Sequence, residues 1–147
     1  MRSRFPLESV LRYRNSIERR EWLALQSVLI QLQRAREELK CYEVQQKSEL
    51  GRQEQALRDG VAGAMLQFLS ECHSVLESSR HEVQTRVQQL QQEYRKQQDI
   101  FLQARQARKV IEELRNEHYQ RWLRESERRE QAEADEAFLL THGSMRS

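Results

Sequence analysis

"RDGVAGAM", residues 58–65, holds two of the four glycines in a chain of 147 residues and lies near its middle. An Asp-Gly pair suits a helix end that closes on a glycine in the left-handed conformation. The flanks make this stretch decisive. Upstream, nothing between Pro6 and Arg58 breaks a helix except a lone Gly51. Downstream, neither glycine nor proline occurs from Ala64 to Leu140. The sequence therefore reads as one helix, one turn and a second helix.

Periodicity on both sides supports two paired helices. Leu25, Val28, Leu32, Ala35, Leu39 and Tyr42 alternate at three- and four-residue steps, the a/d pattern of a coiled coil. Beyond Tyr42 the stripe weakens to Gln46, Leu50, Gln53 and Leu57. The second stripe reads Met65, Phe68 or Leu69, Cys72, Leu76, Val83, Val87, Leu90, Tyr94, Gln97, Phe101, Ala104, Ile111, Leu114, His118 and Trp122. Two such helices joined by a short turn make an all-α antiparallel coiled-coil hairpin. The expected bounds are one domain over 1–147, with a helix about 6–58, a turn about 59–63, a helix about 64–138 and a flexible tail at 141–147. Gln46, Gln53 and Gln97 fall on the seam. They read either as loose packing or as the polar residues that hold a coiled coil in register.

The helices are unequal, roughly 80 Å against roughly 110 Å at ~1.5 Å rise per residue. The second must project past the first, and everything from His118 onward is expected to lack a partner within the hairpin. The same register sets Cys41 and Cys72 roughly 15 Å apart along the axis. That is too far for a disulfide, so both thiols are expected to be free.

Composition agrees. Charged residues are 33% and hydrophobic residues 37%, with mean hydropathy −0.94. That is too polar for a compact globule and right for solvated helices burying one narrow stripe. A net charge of +2 supplies no field that compels nucleic-acid or bilayer binding. No apolar run approaches the ~20 residues of a membrane span. The charged N-terminus has no apolar segment after it, so no secretory signal is expected. Two cysteines without a paired framework suit a reducing cytoplasm.

No catalytic constellation is present: no phosphate loop, no nucleophile elbow, no HExxH. The four histidines share no ligand spacing with the cysteines. Neither enzyme activity nor any cofactor or metal is expected. Charge is instead organised by position. Residues 1–20 carry six arginines against two glutamates, and 105–129 carry eight cations against five glutamates. The hairpin brings these segments together as one basic tip, followed by the acidic Glu130, Glu133, Asp135 and Glu136. Near the turn, "MLQFLSECHSVL" (residues 65–76) carries Phe68 beside Leu69 and Val75 beside Leu76. Adjacent residues cannot all face one partner helix, so one of each pair should be exposed.

Two terminal blocks carry a resemblance. "RFPLESVLRYR" (residues 4–14) resembles the opening of flagellar FliJ proteins, with Phe5, Leu7, Val10, Leu11 and Arg14 on the F-x-L-x-x-(V/L)-L-x-x-R pattern. "KVIEELRNEHYQRWLRESERREQAEADEAF" (residues 109–138) is similar to that family's C-terminal block, departing from it in the alanine-rich "QAEADEAFLL". The resemblance implies a cytoplasmic component of the flagellar export apparatus, associated peripherally with the inner membrane and similar to the central stalk of rotary ATPases. The implied partners are a hexameric export ATPase, the cytoplasmic domain of the export gate's large membrane subunit, and export chaperones, with no nucleic acid. The residues placed at the ATPase ring are Phe5, Leu7, Leu11, Arg14, Leu114, Tyr119, Trp122, Arg124, Arg128 and Arg129. Those placed at the gate are Phe68, Leu69, Cys72, Val75 and Leu76. The stalk of a virulence-type secretion system and a structural coiled-coil scaffold are the alternatives.

Overall fold

The computed structural model describes residues 4–145. It contains two helices, α1 (Glu8–Arg58) and α2 (Gly63–Met145), and no strand among the described residues. Pro6 sits in the turn just before α1, where its missing N–H costs nothing. The Glu8 amide donates to the Phe5 carbonyl at 3.2 Å, and the Leu11 amide to Leu7 at 2.9 Å.

The turn closes on Gly60, the one described residue with a positive φ, at 70°. The Val61 amide reaches back to the Ala56 carbonyl at 3.2 Å and the Gly60 amide to Leu57 at 3.4 Å. These two bonds define a Schellman end, and they satisfy carbonyls that the last turn of a helix leaves open. Ala62 then starts α2 by accepting from Met65 and Leu66.

The helices contribute to two compact units, residues 21–101 and residues 1–20 with 102–147. In the first, α1 and α2 pair antiparallel across the turn. Its core is Leu32, Ala35, Val83, Val87 and Leu90, with Leu39, Tyr42 and Tyr94 packed against it. Each large side chain so buried contributes about 1.5–3 kcal/mol. In the second unit Leu11 is buried, and Ile17, Ala104 and Ile111 are half-buried.

The seam departs from the expected stripe past Tyr42. Gln46, Glu49, Gln53 and Ala56 are the half-buried positions, while Leu50 and Leu57 are 47% and 63% exposed. On α2 the half-buried set is Leu66, Leu69, Cys72 with His73, Leu76, and Ser79 with Arg80, and Met65 and Phe68 are exposed. The physical reason is phase. Continuing the alternation that buries Leu25 to Tyr42 leads to 46, 49, 53 and 56. Turning Leu50 inward would rotate the well-packed residues out.

The seam glutamines are bonded across the helices. Gln97 donates to the Glu21 carboxylate at 2.7 Å and to its carbonyl at 3.2 Å. Gln53 donates to the Leu69 carbonyl at 3.1 Å, and Gln46 donates to Glu77. Of the two readings of these residues, register-holding is the one that their bonding supports.

The far end of α2 also differs from expectation. Residues 141–145 continue the helix to Met145, where a loose tail is the sequence expectation; residues 146 and 147 lie outside the described residues. Gly143 does not adopt a positive φ. The Thr141 and His142 side chains bond back to the carbonyls of Ala137 and Phe138 at 2.8 and 3.1 Å.

Candidate functional site

Two surfaces hold the residues that the sequence singles out, one in each unit. In the unit built from both chain ends, Glu18 and Arg108 form the central clasp. Arg108 Nε lies 2.6 Å and Nη2 3.2 Å from the two carboxylate oxygens of Glu18. Arg108 also bonds Glu112. Both clasp side chains are about four-fifths covered. The bidentate guanidinium holds the Glu18 carboxyl below its ordinary value, and the same bond raises Arg108. Glu8 pairs with Arg115 at 3.5 Å, and Arg121 with Glu117 at 3.8 Å.

These pairs change the basic tip. Arg108, Arg115 and Arg121 are engaged by carboxylates of their own chain, while Arg124, Arg128 and Arg129 are exposed with no ion pair among the described residues. The sequence stripe skips position 108. Its heptad phase, four residues beyond Ala104, was the signal that could have found the clasp.

The expected ring-facing residues do not share one environment. Leu11 is 3% exposed and packs inside the unit, so it holds the helices together rather than facing outward. Phe5 and Arg14 are half-buried. The Phe5 ring lies 5.6 Å from that of His118, tilted by 56°. His118 is therefore not the start of the unpartnered segment, as the helix lengths suggest. Leu7, Leu114 and Tyr119 are exposed. Tyr119 stacks on the half-buried Trp122 at 6.0 Å, and Trp122, Glu125, Ser126 and Arg129 line a shallow depression. Every residue from 127 to 143 is exposed.

In the unit containing the turn, Phe68, Cys72, Val75 and Leu76 line a groove with Gln45, Ser48, Glu49, Arg52 and Glu71. Phe68 and Val75 are 58% and 66% exposed, while Leu69 and Leu76 are half-buried. The adjacent pairs thus divide between seam and surface, as helical geometry requires. Leu69 lies outside the groove lining and carries the carbonyl that binds Gln53.

The seam beside this groove is polar. Glu49 Oε2, His73 Nδ1 and Arg80 Nε are buried atoms without a hydrogen-bond partner. Arg80 bonds Glu77 at 2.6 Å, and with Gln46 it lowers the Glu77 carboxyl. Such a layer gives up the apolar burial that the seam has at Leu32 to Ala35.

Among the described residues, no group of three or more His, Cys, Asp or Glu is placed to hold a metal. No helix is long and apolar enough to cross a membrane. Both cysteines are free thiols, Cys41 exposed and Cys72 half-buried at the groove. The two surfaces differ in character: exposed aromatic and cationic groups at one, and an open groove of mixed polar and apolar lining at the other.

Comparison with known proteins returns one family. The model described as "Flagellar FliJ protein" matches residues 3–146. No curated protein matches, and no solved structure matches.

Proposed function

The chain belongs to the flagellar FliJ family, and on that premise we propose that it is a non-enzymatic component of the flagellar protein export apparatus that works as a stalk for the export ATPase. In this reading the unit built from both chain ends docks in the ATPase ring and promotes its assembly. The groove near the turn contacts the cytoplasmic domain of the export gate's large subunit. Escort of export chaperones would use the same molecule away from the ring.

One observation carries the proposal beyond family membership. Beyond Ser126, α2 runs to Met145 with every described side chain exposed; stacked Tyr119 and Trp122 precede this stretch, and Arg124, Arg128 and Arg129 near its start form no ion pair among the described residues. A long helix of this kind, polar and uncovered, needs an external surface to gain stability. A ring pore lined with acidic groups would receive its cations without burying the rest. The test is ATP hydrolysis by the purified export ATPase with and without the chain. Stimulation supports the stalk role, and no binding to the ring removes it.

A further inference from the structure

We propose that residues 119–140 of α2 associate antiparallel with the same segment of a second copy of this chain. The segment is divided into complementary halves. Arg121, Arg124, Arg128 and Arg129 fall in the first half, opposed only by Glu125 and Glu127. Glu130, Glu133, Asp135 and Glu136 fall in the second, which contains no lysine or arginine. The boundary lies between Arg129 and Glu130.

The apolar groups are also at the two ends. Tyr119, Trp122 and Leu123 lie at the start of the basic half, and Phe138, Leu139 and Leu140 close the acidic half. Phe138, Leu139 and Leu140 are all exposed. A two-fold axis at the Arg129–Glu130 boundary sets each basic half against the partner's acidic half. The same operation sets each aromatic end against the partner's aliphatic end. Ser126 and Ala137 share the helix face of Tyr119, Trp122 and Leu140, and small side chains there let two helices approach closely. A contact of this kind is isologous and closes as a dimer.

Apart from Arg121, which pairs with Glu117, these charged side chains form no ion pair among the described residues. Arg129 and Glu133 are four apart on one helix, yet no ion pair joins them, and Arg124, Arg128, Glu130 and Glu136 form none among the described residues. The one side-chain bond within the acidic half is from Gln131 to Asp135 at 3.1 Å. Other occupants fit less well. A polyanion or an anionic bilayer would attract the first half and be repelled by the second. A parallel pairing of two copies would set like charges against each other.

The segment is only about 30 Å long at ~1.5 Å per residue, so the dimer is weak, with Kd roughly 10–100 µM. It occupies Trp122, Arg124, Arg128 and Arg129, so a chain in this dimer cannot present the same groups to a ring.

Sedimentation velocity of the full chain, reduced and without any ATPase, tests the proposal. Dimer should form at ~0.05 M salt and dissociate at ~0.5 M, across the range where screening becomes complete. A triple variant Glu133→Lys, Asp135→Lys, Glu136→Lys and a second, Arg124→Glu, Arg128→Glu, Arg129→Glu, should each lose association at least tenfold. Mixed in equal amounts, the two variants should pair with each other, because the mixture restores opposite charge along the whole contact. Circular dichroism checks that each variant stays helical. A monomeric wild type at low salt, variants that dimerise alone, or a mixture that stays monomeric would each overturn the proposal. The ring reading stands or falls separately, since no ring is present.

Discussion

Arg108 grips Glu18 with two guanidinium nitrogens, at 2.6 and 3.2 Å, across ninety positions of sequence. This clasp ties α1 to α2 in the unit formed by the chain's two ends. The helices there have little apolar burial: Leu11 is the one described residue in that unit among the buried hydrophobics. A bidentate, largely covered ion pair is correspondingly important to the pairing.

The clasp makes the end unit acid-sensitive. Glu18 titrates below its ordinary value of 4.5 because Arg108 bonds its charged form. A depressed carboxyl contributes stability that is fully present above the unfolded value and is lost as pH falls through the folded one. Hydrogen exchange of residues 8–20 and 104–115 is expected to quicken as pH drops below about 4.5, after correction for intrinsic rates. Arg108→Gln should raise exchange at pH 7 and flatten that dependence. An unchanged acid profile in the variant would assign the sensitivity elsewhere.

Leu32 is 3% exposed at the centre of the turn unit. Leu32→Ala removes its contacts with the core around Val83, Val87 and Leu90 and should cost about 2–4 kcal/mol. Urea melts followed by circular dichroism measure this. Leu50→Ala, on the exposed flank, should cost less than ~1 kcal/mol. Equal losses would mean that the seam runs through Leu50 after all.

Gln46, Gln53 and Gln97 each bond across the helices. Replacing all three with leucine should preserve or raise the melting temperature while loosening the register, because apolar seams tolerate sliding that a specific polar pair forbids. Spin labels on α1 and α2 of the turn unit should show one narrow distance in wild type and a broadened one in the variant. A single narrow distance in both would make the glutamines mere spacers.

Much of this was legible in residues. RDGVAGAM located the turn, and within the turn unit Leu32 to Tyr42 pack with Val83 to Tyr94 as two heptad stripes require. Sequence reading failed where apolar residues sat one position off phase. Leu50 and Leu57 drew the stripe away from Glu49 and Ala56, although a rigid helix cannot change phase for two leucines. It also passed over Arg80, His73 and Arg108, because a seam is sought among hydrophobics. Position on the hairpin alone cannot separate the buried Leu11 from the exposed Leu7. Contacts such as Phe5 on His118 depend on register at the level of single side chains.

The groove near the turn gives a separable prediction. Phe68→Ser with Val75→Ser alters two exposed positions and should change the unfolding free energy by less than ~1 kcal/mol. Binding to the isolated cytoplasmic domain of the gate subunit should fall at least tenfold, read by titration calorimetry. Lost helicity with unchanged binding would show that the two residues serve packing instead.

The most direct test of the stalk role is the ATPase rate. Titrating the wild-type chain onto the purified export ATPase should raise ATP hydrolysis severalfold and increase the fraction of hexamer. Trp122→Ser with Arg124→Glu and Arg128→Glu should abolish that stimulation while the helices remain intact by circular dichroism. An ATPase indifferent to the wild-type chain, or equally stimulated by the variant, would contradict the account.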